Sequence, residues 1–442
     1  MAVVTKIMNN HLNRREVLKA LSASGALTST ALSNLSFGAQ DTDQGCLVVV
    51  FLRGGADSLQ MAAPVDNPDY IAARTANLRI LESGETPGLL LPKAFSPKED
   101  CRLHASAAPL FDLFQSGHAD LLHACGLSFA TRSHFESQDL LDSAINAPMS
   151  ALSGNTVFAN AAAASSPVQP ASSSAKVLSD TPGWLTPFVK QIKASAREIT
   201  TLNTTSTLSR SLKGLSSTLG VSGDIRGSLN LPGDSLGRQV LEALYPLGSG
   251  VENAKTDPTL LMGRATLNQF ASLESRMPKV DGRFPSYSPP KDVKYNFENH
   301  EWIQATQAVA QLIRLDIGLR VATVDLGGWD THEYQGGRIN NLIRQWSTNL
   351  RALFDDLQAA NKNVTFLVVS EFGRRVRANN SNGTDHGHAG IVWCLDSRKR
   401  KLLPQTIWPG LAIEQLDQGL DLASTVDVKL VLNSVAQQTL SS

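Results

Sequence analysis

Residues 46–52 read Cys-Leu-Val-Val-Val-Phe-Leu, an unbroken apolar stretch that is rich in β-branched side chains. The stretch stops at the glycine turn Arg53-Gly54-Gly55. A short apolar run that ends in glycine is typical of a strand buried on both faces, and such strands belong to mainly parallel sheets. This segment therefore restricts the chain to folds in which both faces of a sheet are covered.

Similar strands recur along the chain, with amphipathic segments between them. Further strands are predicted at 319–326, 364–370 and, with a weaker pattern, 119–125. Helices are predicted at 257–277, 302–317 and 339–359, and the last has a clear apolar stripe. Alternating strands and helices predict an α/β fold with a central, mainly parallel sheet flanked by helices.

One long segment differs from this pattern. The first part of 146–300 is rich in Ala, Ser, Thr and Gly, as at 161–166 and 172–174. We interpret 146–300 as a cap inserted into a single α/β domain that spans 40–442.

The first 39 residues are interpreted as an export signal. Arg14, Arg15 and Lys19 precede a weakly apolar stretch at 20–32. A basic region before an apolar segment is typical of targeting signals, and the paired arginines resemble the twin-arginine signal. The alternative is an amphipathic N-terminal helix. The signal predicts the twin-arginine export machinery as a partner, and a periplasmic or secreted mature protein.

Charge and composition exclude several classes of protein. The chain has 40 Lys plus Arg against 40 Asp plus Glu, so no broad basic surface is expected and nucleic acid is a poor partner. After the signal there is no apolar run of about 18 residues, so no membrane span is expected in the mature chain. Four cysteines are too few for a disulfide-dense scaffold, and their pairing is left open.

Acidic side chains follow three of the predicted strands. These residues are Asp57, Asp330 and Glu371, each close to glycine. Ligands of open α/β sheets bind beyond the carboxyl ends of the strands. A single acid after a strand is more often a helix N-cap, but three such strand ends favour a site.

Histidines accompany acids in two loops. The pairs occur as Asp330-Thr331-His332 and Asp385-His386-Gly387-His388. Carboxylate and imidazole are ligands of divalent cations, so we predict a site for zinc, manganese or calcium. The alternative is a solvated polar loop. The candidate metal ligands are Asp57, Asp330, His332, Glu371, Asp385, His386 and His388.

The segment Thr131-Arg132-Ser133-His134 follows the weakest predicted strand. Ser133 is the candidate nucleophile, Thr131 is the second candidate, and Arg132 is available for an anion. The alternative is that Ser133 caps a helix, with Glu136 completing a capping box. The two interpretations are compatible, because a nucleophile at a helix N-terminus gains from the helix dipole.

Several motifs together resemble the domain of unknown function 1501 family, which is grouped with the alkaline phosphatase and sulfatase superfamily. The motifs span nearly the whole mature chain. They are Phe51-Leu52-Arg53-Gly54-Gly55-Ala56-Asp57-Ser58, Arg132-Ser133-His134-Phe135, Gly183-Trp184-Leu185, Gly327-Gly328-Trp329-Asp330-Thr331-His332, Ser370-Glu371-Phe372-Gly373-Arg374 and Thr384-Asp385-His386-Gly387-His388.

The resemblance implies an alkaline phosphatase-like fold with one or two divalent metals at the carboxyl edge of its sheet. It also implies hydrolysis or transfer of phosphate or sulfate esters. The residues that it implies are Asp330 and His332 as a ligand pair, His386 or His388 as the last ligand, Asp57 near the first-strand acid, and Ser133 or Thr131 near the nucleophile.

The chain departs from the superfamily at two strand ends. Glu371-Phe372 stands where Asp-His is usual, and a phenylalanine cannot bind metal. Arg53-Gly54 stands where Asp-Gly is usual. Residues 125–129 also lack the motif of sulfatases that use a modified cysteine.

These observations predict an exported, metal-dependent hydrolase whose substrate is a small anionic phosphate or sulfate ester. Arg132 or Arg374 would neutralise the anionic oxygens. The alternative is a non-catalytic envelope protein that keeps the fold with at most a structural metal, and Phe372 favours that alternative.

Overall fold

The computed structural model describes residues 44–92, 99–128, 130–144, 181–193, 199–229, 234–245, 258–277, 279–280, 284–296 and 299–441. The predicted export signal, residues 1–39, lies outside these ranges, as do positions 146–180 of the predicted cap. Both interpretations stay predictions.

The strands of the described ranges have the following bounds. They are β1 (Cys46–Leu52), β2 (Ala62–Pro64), β3 (Leu89–Leu90), β4 (Cys101–Leu103), β5 (Ala119–Gly126), β6 (Thr201–Asn203), β7 (Leu219–Gly220), β8 (Val321–Leu326), β9 (Val364–Val369), β10 (Gly390–Asp396) and β11 (Val426–Asp427).

The α-helices are α1 (Ser58–Met61), α2 (Pro68–Ala73), α3 (Ala108–Gln115), α4 (His134–Asp142), α5 (Thr186–Val189), α6 (Ile225–Leu229), α7 (Asp234–Leu244), α8 (Pro258–Arg276), α9 (His300–Arg314), α10 (Gln335–Ala359) and α11 (Val428–Leu440). In the part of the chain that the structure describes, none of these helices has both the length and the apolar character to span a bilayer.

Eight strands form the main sheet, in the order β11-β5-β10-β9-β1-β8-β6-β7. The central strand β1 pairs in parallel with β8 and β9, whereas β10 runs antiparallel to β9 and β5. The prediction of an α/β fold with a mainly parallel central sheet is confirmed. The strand β10 was not predicted, and β6 and β7 come from the segment interpreted as a cap.

Helices cover both faces of this sheet. All seven residues of β1 are buried, as expected for a strand between two helical layers. Because side chains alternate along a strand, Val48 and Val50 lie in the core with α9 and α10, while Leu47 and Val49 lie in the core with α11. The apolar stripe predicted for 339–359 is largely buried in α10, which fixes the start of that helix beside the loop after β8.

The four cysteines are free and buried. Burial raises the pKa of the Cys46 and Cys101 thiols to about 12. Such thiols stay protonated near neutral pH, so they are poor nucleophiles and poor metal ligands.

Candidate metal centre

The parallel strands β1, β8 and β9 finish at the same level of the sheet. Leu52 pairs with Leu326, and Phe51 pairs with Val369. The antiparallel strand β10 begins at this edge, and α4 starts there after β5. The topology therefore brings together side chains from loops that are far apart in sequence, at the edge where ligands of α/β sheets bind.

Gly54 allows two of these loops to touch. Its φ of +123° is one that residues with side chains rarely adopt, and an added Cβ would stand 2.4 Å from the backbone nitrogen of Asp330. The Gly54 N–H also donates to Glu371 Oε1 at 2.9 Å. Glycine is thus required where the loops after β1, β8 and β9 meet.

Four side chains form a group that we call the His/Asp cluster: His134, Asp330, His332 and His386. Asp330 Oδ1 lies 2.9 Å from His332 Nε2 and 3.0 Å from His386 Nε2. Asp330 Oδ2 lies 3.3 Å from His134 Nε2. His134, Asp330 and His386 offer ligand atoms that all lie within 4.8 Å of one another, and His332 Nε2 lies 2.9 Å from His386 Nε2.

Each imidazole of the cluster has its other nitrogen next to an acceptor. His134 Nδ1 lies 2.9 Å from Glu371 Oε1, and His386 Nδ1 lies 2.8 Å from the carbonyl oxygen of Arg132. His332 Nδ1 lies 3.6 Å from Asp385 Oδ1. The acceptors on Nδ1 of His134 and His386 fix the orientation of these rings and direct Nε2 inward, which is the usual arrangement around metal-binding histidines.

Glu371 orients His134 and does not point into the cluster. Its side chain is fully buried, and Oε1 also accepts a hydrogen bond from Gln138 Nε2 at 2.8 Å. Burial alone would raise the pKa of Glu371, but hydrogen bonds from His134 and Gln138 lower it below its ordinary value. The hydrogen bond to Glu371 in turn raises the pKa of His134.

Arg374 is a buried residue that holds Asp330 in place. Its buried guanidinium donates to the carbonyl oxygens of Gly54, Gly55, Trp329 and Thr384, and from Nη2 to Asp330 Oδ1 at 2.9 Å. Partial burial acts to raise the pKa of Asp330, but the contacts with His386 and Arg374 and the Arg374 charge lower it well below the ordinary value. Because protein acceptors engage all three of its nitrogens, we do not retain Arg374 as a residue that binds substrate oxygens.

Phe372 forms one wall of the cluster. Its ring centroid lies 5.0 Å from that of His134 and 4.7 Å from that of His386. The position where the superfamily resemblance implied a ligand is therefore a packing residue, and His134 supplies an imidazole from another element.

The structure does not bring Asp57 to the cluster. Asp57 is buried and accepts hydrogen bonds from Arg74 Nη1 at 2.8 Å, Gln335 Nε2 at 2.6 Å and Thr384 Oγ1 at 3.2 Å. It stands at the N-cap position of α1 but makes no side-chain capping hydrogen bond. Its predicted role as a metal ligand is not retained, because its partners already form a buried ion-pair network.

His388 also lies apart from the cluster, although it is two residues from His386. Its Nδ1 lies 2.8 Å from Asp417 Oδ2, and its Nε2 lies 2.8 Å from the carbonyl oxygen of Leu127. Both nitrogens thus have protein partners, and we no longer include His388 among the candidate ligands. Asp385 is retained as the acceptor beside His332, and Asn379 lowers its pKa by a hydrogen bond.

The segment before α4 contains the predicted nucleophiles. Ser133 Oγ accepts a 3.4 Å hydrogen bond from the Glu136 backbone nitrogen, so Ser133 caps α4 as its capping interpretation predicted. Thr131 Oγ1 donates to Glu136 Oε2 at 2.7 Å. Arg132 pairs with the buried Asp421, at 2.6 Å from Nη2 to Oδ2.

The sequence prediction missed His134 as a member of the cluster. In the sequence, His134 stands out only as the neighbour of Ser133. Consecutive side chains rarely act together, so His134 was not a candidate ligand. The available signal was its place after a strand, at the start of a helix, which is the same position that made the acids candidates.

A protein-family model described as "Protein of unknown function (DUF1501)" matches residues 45–395. No curated protein and no solved structure matches the chain. The matched range contains all four residues of the His/Asp cluster.

Proposed function

The chain belongs to the DUF1501 family, and from the geometry of its His/Asp cluster we propose that it is a metal-dependent hydrolase of phosphate or sulfate esters. The observation that carries this proposal is the arrangement of three imidazoles around one carboxylate. Each Nε2 faces Asp330, and each Nδ1 lies near a separate acceptor.

The donor set fits a divalent cation. Nitrogen and carboxylate ligands at about 2.0–2.1 Å from a tetrahedral ion lie roughly 3.3 Å from one another. The spacings of 2.9–3.3 Å between Asp330 oxygens and the three Nε2 atoms are close to that value. An imidazole-rich set favours zinc or manganese over calcium, which prefers oxygen ligands.

A divalent ion held here would polarise the ester and lower the pKa of a nucleophile. Solvent reaches the cluster, because the side chains of Asp330 and His332 are 47% and 41% exposed. An open site of this kind supports catalysis over the alternative of a closed structural metal site.

Ser133 is the better candidate nucleophile of the two hydroxyl groups. Ser133 is exposed and directly precedes His134. Its Oγ accepts a hydrogen bond from the Glu136 backbone nitrogen, and this contact does not engage the hydroxyl proton of Ser133. The Thr131 hydroxyl donates a hydrogen bond to Glu136 Oε2, so it is less available as a nucleophile. The N-terminus of α4 would stabilise negative charge that develops on Ser133.

The finer structural and cellular assignments belong to the same proposal. A cluster at the carboxyl edge of a mainly parallel sheet supports an alkaline phosphatase-like fold, with a cap within 146–300. The paired arginines Arg14 and Arg15 support export by the twin-arginine pathway to the periplasm or beyond.

The direct test is hydrolysis by purified mature protein that has been stripped with a chelator and reloaded with zinc or manganese. We expect reloading to restore turnover of at least one class in a panel of phosphate and sulfate esters. Asp330→Asn should abolish the turnover, and Ser133→Ala should abolish it if Ser133 is the nucleophile. A wild type that is loaded with metal but hydrolyses no ester would support the non-catalytic envelope protein instead.

A further inference from the structure

Beside the His/Asp cluster, two arginines face one carboxylate. Arg132 donates to Asp421 Oδ2 from Nε at 3.0 Å and from Nη2 at 2.6 Å. Arg375 Nε lies 4.0 Å from the other oxygen, Oδ1, which is too far for a hydrogen bond. A single negative charge therefore lies between two positive ones, and we call Arg132 and Arg375 the arginine pair.

The Asp421 carboxylate is buried, whereas both arginines of the pair are partly exposed to solvent. The Asp421 side chain is 0% exposed, whereas those of Arg132 and Arg375 are 30% and 34% exposed. Among the described residues, Nη1 of Arg132 has no hydrogen-bond partner, and Nη1 of Arg375 approaches Asp385 Oδ2 only to 3.6 Å. Both guanidinium groups thus keep donors for a ligand.

Other acids near the arginine pair have closer partners. Asp417 lies 2.8 Å from His388 Nδ1, and Asp385 accepts a 3.0 Å hydrogen bond from Asn379. The guanidinium donors that Asp421 and Asp385 do not engage are therefore available at the surface. Arg374 differs, because its side chain is fully buried and bonded to protein.

The arginine pair is also joined to the cluster. The carbonyl oxygen of Arg132 lies 2.8 Å from His386 Nδ1. Asp385 links the second arginine, because its carboxylate lies 3.6 Å from Arg375 Nη1 and 3.6 Å from His332 Nδ1. An anion on the arginine pair would therefore lie next to the residues proposed to hold the metal.

We propose that the arginine pair binds the anionic oxygens of the substrate's phosphate or sulfate group, with the buried Asp421 holding both guanidinium groups in place. The planar donor array of arginine matches tetrahedral oxyanions, which accept two parallel hydrogen bonds. This inference rests on the proposed function and adds Arg375 to its candidate residues. Asp421 lies beyond residues 45–395, so the oxyanion site would use the C-terminal part of the chain.

The test is calorimetric titration of the metal-loaded mature protein with inorganic phosphate and, separately, inorganic sulfate. Arg375→Ala should weaken binding of the preferred anion by about tenfold or more and raise KM with metal content unchanged. Arg377→Ala is the matched control, since it removes the same charge from an exposed neighbour. Arg375→Lys keeps the charge but not the planar donors and should give intermediate affinity.

Equal anion affinity of Arg375→Ala, Arg377→Ala and wild type would overturn this inference, as would a wild type that binds neither anion. Ester hydrolysis by the wild type would leave the proposed function intact in both cases. The opposite result is a wild type that hydrolyses no ester but binds phosphate, with that binding lost in Arg375→Ala. It would support the oxyanion site and contradict the proposed hydrolase function.

Discussion

His386 Nε2 and Asp330 Oδ1 lie 3.0 Å apart. The other nitrogen of His386 lies 2.8 Å from the carbonyl oxygen of Arg132, which has no proton to give. Nδ1 of His386 must therefore be the donor in that contact. Burial lowers the pKa of His386, so the ring is neutral near pH 7 and its Nε2 has a lone pair directed at a carboxylate.

Two lone pairs at hydrogen-bond distance repel unless a proton or a metal cation lies between them. His332 Nε2 lies 2.9 Å from Asp330 Oδ1 and 2.9 Å from His386 Nε2, so three polar atoms lie close together. A divalent ion would resolve this conflict for all of these groups at once.

Glu371→Gln tests the orientation of His134. The amide keeps the size of the side chain but loses the charge that holds the Nδ1 proton of His134, so metal affinity should fall about 10–100-fold. Competition with a chelating indicator dye would measure the change. Glu136→Gln, an exposed carboxylate in the first turn of the same helix, is the control and should keep wild-type affinity. The same affinity in both variants would contradict the role given to Glu371.

Arg374→Ala tests the anchor beneath the cluster. It would leave four backbone carbonyls and Asp330 without their donor in a buried place, so we expect a loss of about 3–5 kcal/mol in the free energy of unfolding. Arg377→Ala should change this free energy by less than about 0.5 kcal/mol, because the residue is exposed. Urea denaturation of the metal-free proteins separates the two variants, and equal midpoints would show that Arg374 is not an anchor.

His123 provides a pH test away from the cluster. Burial lowers the pKa of His123 to about 4 from 6.5. The unfolded chain therefore binds a proton that the folded chain does not bind between these values, so stability is full above pH 6.5 and falls as pH drops toward 4. The loss attributable to this group is up to about 3 kcal/mol.

His123→Phe should reduce that loss, since the ring can keep its edge contact with Trp408. It should not abolish the loss, because burial also lowers the pKa of His104 to about 4. Thermal unfolding at pH 5 and pH 7 measures the difference. An unchanged drop between the two pH values would show that His123 does not contribute.

The export prediction depends on Arg14 and Arg15. Lysine keeps the charge but not the paired arginines that the signal resembles, so the double change Arg14→Lys and Arg15→Lys should leave the precursor in the cytoplasm. Cell fractionation and immunoblotting would show this accumulation. Export of the double variant at the wild-type level would mean that another route is used.

The main sheet was predictable because its central strands are mostly apolar runs, and glycine follows β1 and β8 within two residues. The predicted strand at 46–52 matches β1, and Asp330 with His332 was found from position alone. The structure places Asp57 in an ion pair with Arg74, which comes from another loop, and sequence spacing does not reveal such a pair. His388 lies apart from His386 because β10 begins just after it, so the loop directs alternate side chains to different neighbours.

Elemental analysis of the purified, folded mature chain shows whether the His/Asp cluster holds a metal ion. We predict about one zinc or manganese ion per chain in the wild type and in His388→Gln, whose side chain lies outside the cluster. His386→Ala should hold far less metal. A folded wild type without bound divalent metal, or a His386→Ala variant with as much metal as the wild type, would contradict the account.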